Sequence, residues 1–346
     1  MTRAVASMFL LSMLLVSGLV SDVHSSAQSV SNTVSLNHIT AGFSIDSVAR
    51  VDNAASLGVN TAIIYGKPFT PSDPVGAEMQ AKGMHEIDAG ISSELFYYEC
   101  HRTHTVAPPP AGMTNSYCAT DVKPSVNSES VVLADVAAKL KADAANPLVD
   151  GYWVLDDWAY LWDAGSAKTI LQDIRKEIRQ YTPSYPAICG FGVAIVQPNV
   201  NVWDSRIAQN YSNAGCDMVG IYSYVSTYPT PSDGSQFDFT MQTMLAAAFK
   251  SLRQLGWDRS KRSPLGIGQA FAGPYGTGYK PGITISQMTT QARSFCKAGA
   301  VSIGWYGWDD PGFGSQALLP TTSTIVQQGI IRSIAACRSV WSFSKI

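Results

Sequence analysis

Short apolar runs alternate with longer stretches of mixed polarity from about residue 40 to the end of the chain. Runs of about four to eight apolar residues predict buried strands, whereas apolar positions three or four apart predict helices. Eight strands, each leading to a helix with no linker-like composition between them, favour one (β/α)8 barrel of the α/β class. The predicted strands are 41–45, 60–65, 84–88, 151–155, 187–193, 217–222, 264–271 and 301–306.

The helices predicted between these strands also favour a (β/α)8 barrel. A doubly wound open sheet is the alternative, and it is disfavoured because eight strands close a barrel and no glycine-rich phosphate loop follows the first strand. The glycine cluster at 273–282 instead predicts a mobile loop, and residues 95–99 compete with 84–88 for the third strand. The predicted helices are 46–58, 74–82, 128–145, 167–180, 239–255, 286–298 and 324–336, with one more expected between the fifth and sixth strands.

The chain contains six cysteines, an even number that favours disulfides in an exported protein. Six cysteines allow 15 pairings, and proximity in sequence favours Cys100–Cys118, Cys189–Cys216 and Cys296–Cys337. The first pair falls in segment 90–127, which we expect to be a long disulfide-stapled loop after the third strand. His101 and His104 beside Cys100 also suggest zinc, but we favour the disulfide and expect no metal or other cofactor.

The N-terminal residues predict export. Arg3 precedes an apolar run from 4 to 20, and small residues at 25–27 offer a cleavage site, as in a secretory signal peptide. A membrane anchor is the alternative, but serines and a glycine interrupt the run. We therefore expect a signal peptide at 1–27, a mature barrel at 28–346, and secretion.

Charge and composition narrow the class of partner. Only 14% of the residues are charged, the net charge is −2, and 10% are aromatic. A low and balanced charge argues against nucleic acid or an anionic membrane surface as a partner. We expect a monomer that handles neutral molecules and that has no membrane contact after signal cleavage.

Carboxylates and aromatic residues gather where the predicted strands end, which is where barrel enzymes place their active sites. Asp156 and Asp157 follow an apolar strand directly, and burying an unpaired carboxylate is costly, so the strand must end there. Adjacent strand residues point to opposite faces, so one of this pair is expected to face the barrel axis. The catalytic candidates are Asp156, Asp157 and Asp309; the substrate-binding candidates are Asp46, Tyr65, Asp88, Trp158, Tyr222, Tyr224, Gln269, Trp305, Trp308 and Asp310.

Paired carboxyl groups and aromatic faces fit glycoside hydrolysis. One carboxyl group donates a proton to the leaving oxygen while the other attacks or activates water, and aromatic rings stack on sugar rings. The stretch "DGYWVLDD" at 150–157 resembles the chitinase-type signature on the fourth strand, with Asp150, Gly151 and Asp156 at matching positions and Asp157 where that family has Glu. The resemblance implies a secreted (β/α)8 glycoside hydrolase that cleaves O-glycosidic bonds of a neutral or amino-sugar polysaccharide.

Structural interpretations compete at several of these positions. Asp46 and the Asp156–Asp157 pair are also common helix-cap residues, and Asp309 and Asp310 precede a Pro-Gly turn signal. Trp305 and Trp308 could belong to the core, and Glu99 replaces Asp88 as a site residue if 95–99 is the third strand. The alternative function is a catalytically inactive, lectin-like barrel that binds glycan. Residues 210–212 form an N-glycosylation sequon.

Overall fold

Eight parallel strands close into a barrel in the computed structural model, which describes residues 38–105, 123, 125–156, 165–192, 195–197, 200–202, 210–223, 245–275, 278–280, 283–310 and 312–343. Each barrel strand pairs with the next one along the chain, and the last pairs with the first. The predicted (β/α)8 fold is therefore confirmed. The barrel strands are β1 (Thr40–Phe43), β2 (Thr61–Ile64), β3 (His85–Asp88), β4 (Val149–Leu155), β5 (Ala187–Gly192), β8 (Met218–Tyr222), β9 (Pro264–Gln269) and β12 (Ser302–Tyr306).

Helices alternate with these strands and begin at recognisable caps. Ser47 and Ser128 accept hydrogen bonds from backbone N–H groups in the first turn of their helices, and Thr284 and Gln287 form a reciprocal capping box. The described helices are α1 (Val48–Ser56), α2 (Pro74–Lys82), α3 (Gly90–Thr105), α4 (Glu129–Asp143), α5 (Ala167–Tyr181), α6 (helical residues 245–254), α7 (Ile285–Lys297) and α8 (Thr324–Phe343).

Three segments differ from the sequence expectation. Residues 90–105 form helix α3, so the start of the predicted long loop is helical and 95–99 is not a strand. The glycine cluster holds an antiparallel hairpin, β10 (Gly273–Tyr275) and β11 (Gly278–Lys280). A second hairpin, β6 (Ile195–Gln197) and β7 (Val200–Val202), follows the fifth barrel strand. Residues 203–209 lie outside the described part of the chain, so the helix expected before the sixth strand stays a prediction.

Trp153 fills the interior of the barrel. Its side chain is completely buried and contacts the ring of Phe43 edge-on, with 5.4 Å between ring centroids. A Cβ atom on Gly190 or Gly220 would lie 2.6 or 2.4 Å from the indole ring, so these two strands accommodate the ring only because they carry glycine there. The interior of the barrel is therefore a packed core and not a pore.

Strand β4 contains an irregularity that decides which side chain faces the barrel axis at its end. Trp153 pairs with Ile188, but the next pairing joins Leu155 to Cys189, so Val154 is an extra residue. Such a bulge breaks the in–out alternation of a strand. Trp153 lies inside the barrel, whereas Val154 and Leu155 both pack in the outer core. The shift brings Asp156 back to the inside.

Disulfides tie the outer layer together. Cys189 on β5 is bonded to Cys216, and Cys296 on α7 is bonded to Cys337 on α8, with Cα–Cα distances of 5.7 and 5.5 Å. Both predicted pairs are confirmed. Cys100 is also disulfide-bonded, so its sulfur is not free to bind zinc. Its predicted partner Cys118 lies outside the described residues, and the pairing of these two stays a prediction.

The signal-peptide prediction concerns residues 1–27, which lie outside the described part of the chain, so it stays a prediction. Over the residues that the structure describes, no helix has both the length and the apolar character needed to cross a membrane.

Candidate active site at the barrel mouth

Three tyrosines converge on one phenylalanine at the C-terminal end of the barrel. Tyr65 directly follows β2, Tyr222 ends β8 and Tyr306 ends β12. The ring centroids of these tyrosines lie 5.7, 5.7 and 5.6 Å from that of Phe43, which is buried on β1. These distances are typical of favourable aromatic pairs. The barrel mouth, as we use the term, comprises these four rings and the carboxylates that they contact.

Asp156 is bound by two of these tyrosines. Its Oδ2 accepts a hydrogen bond from Tyr65 Oη and its Oδ1 accepts one from Tyr222 Oη, both at 2.5 Å. Two O–H donors favour the negatively charged carboxylate. The side chain is 3% exposed, so Asp156 is a buried carboxyl group at the floor of the mouth. A buried carboxyl group is costly unless its oxygens are hydrogen-bonded, and both oxygens of Asp156 are.

Further hydrogen bonds hold the backbone at Tyr65 and next to Tyr222 in place. Ser93 on α3 donates a hydrogen bond from Oγ to the carbonyl oxygen of Tyr65 at 3.1 Å. Ser223, the residue after Tyr222, donates its backbone N–H to Ile267. The carbonyl of Ser223 accepts a hydrogen bond from Nε2 of the buried Gln291 at 2.7 Å. The two tyrosines that bind Asp156 are therefore fixed by helices on the outside of the barrel.

The end of β12 supplies a second carboxylate to the mouth. Asp310 Oδ2 accepts a hydrogen bond from Tyr306 Oη, and Oδ1 accepts one from the backbone N–H of Gly312 at 2.6 Å. The ring of Phe271 lies 6.1 Å from that of Tyr306 and 5.1 Å from that of Phe313. An aromatic wall thus extends from Tyr306 along this side.

Asp309 has a different environment from its neighbour. Its Oδ2 lies 2.6 Å from Nη2 of Arg50 on α1, and the other terminal nitrogen of Arg50 binds Asp46. Asp309 is 44% exposed and Asp46 is similarly exposed. Asp309 and Asp46 are both predicted site residues, and the structure brings them together. Their shared partner is Arg50 on α1 rather than a tyrosine of the barrel mouth.

Both tryptophans predicted to bind sugar at the end of β12 are core residues instead. Trp305 is 2% exposed and Trp308 is 0% exposed. The ring of Trp308 lies against Gly42 on the outer face of β1 and donates a hydrogen bond to Asn53 Oδ1 at 2.9 Å. Trp305 packs with Gly268 and Phe295 between β9 and α7. Neither ring presents a face to a ligand, so the structural interpretation is the correct one for both.

Gln269 is also enclosed rather than available at the rim. It is completely buried, and its Nε2 donates a hydrogen bond to the carbonyl oxygen of Phe271 at 2.7 Å. It therefore shapes the wall of the mouth through Phe271, which corrects the expectation of direct substrate binding.

Asp88 faces away from the mouth. Its neighbour Ile87 lies inside the barrel, so Asp88 points into the layer between strand and helix, where Oδ1 accepts the N–H of Gly90 at 2.6 Å. Burial and the nearby Asp143 carboxyl raise the pKa of Asp88, and burial raises the pKa of Asp143. Asp88 is thus part of a buried acidic group with Glu86, and its assignment to substrate binding is corrected.

Asp157, Trp158 and Tyr224 lie outside the described residues, and their roles stay predictions. The site residues chosen from the sequence did not include Phe43, Trp153, Tyr306, Phe271 or Phe313. Tyr306 and Phe271 stood at the ends of predicted strands, where the aromatic pattern indicated the rim, whereas Phe43 lay inside the predicted strand 41–45. Within the described ranges, no group of three or more His, Cys, Asp or Glu side chains is placed to hold a metal ion.

Comparisons with known proteins extend the description of the fold. No family model and no curated protein matches the sequence. An endo-1,4-β-mannanase from Rhizomucor miehei superposes with a TM-score of 0.54 at 8% identity, covering 88% of this chain and 95% of that one. GH5_18 from Streptomyces cattleya gives 0.53 at 11%, with 88% and 82% covered. A β-galactosidase from Rahnella sp. R3 gives 0.53 at 11%, and this chain matches 56% of its length.

These similarities define the class of fold. The chain has a closed, eight-stranded parallel barrel on which these solved glycoside hydrolases superpose, which confirms the predicted fold. At about a tenth sequence identity, the comparison does not carry activity or substrate from those enzymes to this chain.

Proposed function

We propose that this protein is a secreted glycoside hydrolase that cleaves O-glycosidic bonds of a neutral or amino-sugar polysaccharide at the barrel mouth. The observation that carries the proposal is Asp156, a buried carboxylate at a strand end that two tyrosine hydroxyls hold among aromatic rings. We further propose that residues 1–27 are removed on export and that the protein acts as a monomer without a cofactor.

Asp156 acts through its negative charge. Glycoside hydrolysis passes through a transition state in which the sugar ring carries positive charge. A fixed anion at the floor of the mouth stabilises that charge, because preorganised groups need not reorient during the reaction. Since both oxygens already accept hydrogen bonds, Asp156 is better suited to this role than to donating a proton. The proton donor must be another group.

Aromatic rings at the mouth supply the binding surface. Tyr306 and Phe313 are partly exposed, and their flat faces suit the apolar face of a sugar ring. Aromatic contacts of this kind give affinity without charge, which agrees with the low charge of the whole chain.

A second candidate function is glycan binding without catalysis. The observation that favours it is the 3% exposure of Asp156, since a catalytic carboxylate must reach the substrate. Hydrolysis remains our proposal because Asp156 lies at the C-terminal end of a barrel strand, where barrel enzymes place their catalytic groups, beside aromatic rings that suit a sugar.

The test measures release of reducing ends from a panel of neutral and amino-sugar polysaccharides. We expect the wild-type protein to cut at least one of them and Asp156→Asn to lower kcat/KM on it at least about 10²-fold, with folding unchanged. Asp173→Asn, on the exposed side of α5, is the matched control and should retain full activity. A wild-type protein that is retained on a glycan but releases no ends would establish the binding function instead.

A further inference from the structure

We propose that Asp88 and Asp143 share one proton in the folded protein, and that this proton makes the start of helix α3, which holds Tyr65 at the barrel mouth, loosen as pH rises. The shared proton is a property of the fold and needs no substrate. Only its effect on turnover rests on the proposed function.

The two carboxyl groups meet in the layer between the barrel and its helices. Asp88 ends β3 and Asp143 ends α4, and the two residues are 0% and 4% exposed. Each carboxyl group lies within hydrogen-bonding reach of the other, and among the described residues no group donates a hydrogen bond to Oδ2 of either one. Two ionised carboxylates have no proton to donate, whereas one proton held between them satisfies both buried oxygens at once.

The charges in this layer also favour a shared proton. Lys139, one turn before Asp143 on α4, is a cation whose charge lowers the pKa of both carboxyl groups. One ammonium group does not balance two buried carboxylates, and Lys139 Nζ also lies 3.9 Å from a carboxylate oxygen of Glu94. Burial raises the pKa of both carboxyl groups, and together with the charge of Asp143 it raises the pKa of Asp88 to about 8. Because carboxyl groups this close release their protons in two steps that belong to the pair, the pair holds one proton near neutral pH.

Other ionisable groups near the pair supply no positive charge in place of this proton. Glu86 on β3 carries a proton of its own, because burial raises its pKa to about 9. Tyr152 on β4 and Tyr185 stay neutral, because burial raises the pKa of both hydroxyl groups. Asp73 faces Glu86, and hydrogen bonds from Thr70 lower its pKa, so that it adds negative charge.

The first turn of α3 connects the pair to the barrel mouth. Asp88 Oδ1 accepts a hydrogen bond at 2.6 Å from the N–H of Gly90, the first residue of α3. A Cβ atom on Gly90 would lie 2.8 Å from the carbonyl oxygen of Gly66, so the helix starts directly against the residue after Tyr65. Ser93, in the same turn, donates a hydrogen bond from Oγ to the carbonyl oxygen of Tyr65. Separation of the pair therefore releases the turn that fixes this tyrosine.

The proposed switch is a single deprotonation. When the pair separates and water reaches both carboxyl groups, the shared proton passes to water, no other bond changes, and two separate carboxylates result. The separated groups ionise near their ordinary pKa of 3.8, so the closed pair binds at least one more proton than the open pair up to about pH 8. Each pH unit within that range favours opening by about tenfold, and above it the effect levels off.

Amide hydrogen exchange tests the switch without a substrate. Every protein compared carries Glu86→Gln, so that titration of Glu86 does not contribute. After correction for the intrinsic effect of pH, we expect the Ser93 amide to exchange at least about tenfold faster at pH 8 than at pH 6, relative to amides of α7. Asp143→Asn should abolish this rise, because its amide can donate a hydrogen bond to an Asp88 carboxylate that is ionised at both pH values. Asp135→Asn, on the exposed side of α4, removes the same charge and should leave the rise unchanged.

Infrared spectroscopy tests the shared proton itself, because a protonated carboxyl group has a carbonyl stretching band that a carboxylate lacks. At pH 7 the difference spectrum between Glu86→Gln and the double variant with Asp143→Asn should show one such band, which should vanish by about pH 9. The inference is wrong if this band is absent, or if exchange rises equally in the Asp143→Asn and Asp135→Asn proteins. If Asp143→Asn does not fold, the Glu86→Gln protein decides alone: a Ser93 amide that gains no exchange between pH 6 and pH 8 overturns the inference.

The two proposals fail in different ways. A wild-type protein that cuts no glycan overturns the proposed function and leaves the shared proton standing, since neither measurement uses a substrate. If the protein does cut, kcat should decline at higher pH in Asp143→Asn than in Asp135→Asn. Identical pH profiles of these two variants would overturn the connection between α3 and the mouth while leaving the proposed function intact.

Discussion

Glu86 offers a sharp test of the buried acidic group behind the barrel. Its side chain is completely buried on β3, with Oε2 accepting the N–H of Phe69 at 3.1 Å. Among the described residues, no group forms a hydrogen bond with Oε1. Burial, together with the charges of Asp88, Asp143 and Asp73, raises the pKa of Glu86 to about 9, and the hydrogen bond from Phe69 offsets this only in part.

The direction of the effect follows from linkage. The unfolded chain releases this proton near its ordinary pKa of 4.5, whereas the folded chain retains it to about pH 9. Between these values the folded state binds more protons, so its stability falls as pH rises. Each unit of difference corresponds to about 1.36 kcal/mol. Glu86 therefore lowers the free energy of unfolding at pH 7, relative to pH 4.5, by on the order of 3 kcal/mol.

Glu86→Gln removes this titration while keeping the size of the side chain and an acceptor for Phe69. We expect the variant to match the wild-type protein within about 1 kcal/mol near pH 4.5, where both side chains are neutral. By pH 7 it should be more stable by on the order of 3 kcal/mol. Urea unfolding at pH 4.5, 7 and 8.5, followed by tryptophan fluorescence, measures this difference.

The matched control is Glu78→Gln on α2. Glu78 is more exposed and forms an ion pair with Lys82, so its loss should change stability by less than about 1 kcal/mol at every pH. The reasoning fails if wild-type protein and Glu86→Gln show the same pH dependence of unfolding, because the buried carboxyl would then titrate as it does in the unfolded chain.

Three further outcomes are expected. Trp308→Ala should lower the free energy of unfolding by about 3–5 kcal/mol through loss of core packing, and an unchanged urea midpoint would contradict its burial. Replacing Cys296 and Cys337 by alanine should lower the free energy of unfolding by about 2–5 kcal/mol, which is measured as a lower melting temperature. Added reductant should lower the melting temperature of this variant less than that of the wild-type protein. Asn210 is 0% exposed, so its sequon should stay unmodified after expression in a glycosylating host; a mass loss at this site on endoglycosidase treatment would refute that.

Much of the fold could be predicted from the sequence alone. Periodicity placed the eight barrel strands within a few residues of their bounds, because a strand buried on both faces reads as a short apolar run. Proximity paired Cys189 with Cys216 and Cys296 with Cys337, since each pair joins neighbouring elements of a barrel. The sequence also placed Asp156 at the rim of the barrel. A carboxylate that follows an apolar strand has to lie at the end of that strand, because burying it unpaired is costly.

Which side chains face the mouth depended on tertiary structure. Strict alternation from Trp153 would turn Asp157 inward, but the extra residue Val154 reverses the parity and brings Asp156 to the tyrosines. Nothing local marks that bulge. The bulge is visible only in the pairing of β4 with β5, because residues distant in sequence set the register of these two strands.

Burial of the tryptophans and separation of the paired acids were also decided by distant partners. Trp308 is buried because its ring packs against Gly42 on β1 and its N–H donates a hydrogen bond to Asn53 on α1. Asp309 and Asp310 are adjacent in sequence, yet Arg50 binds one and Tyr306 the other. Composition and spacing determine which residue types reach a barrel rim, whereas the closure of the sheet, which brings the first strand beside the last, determines which of them meet.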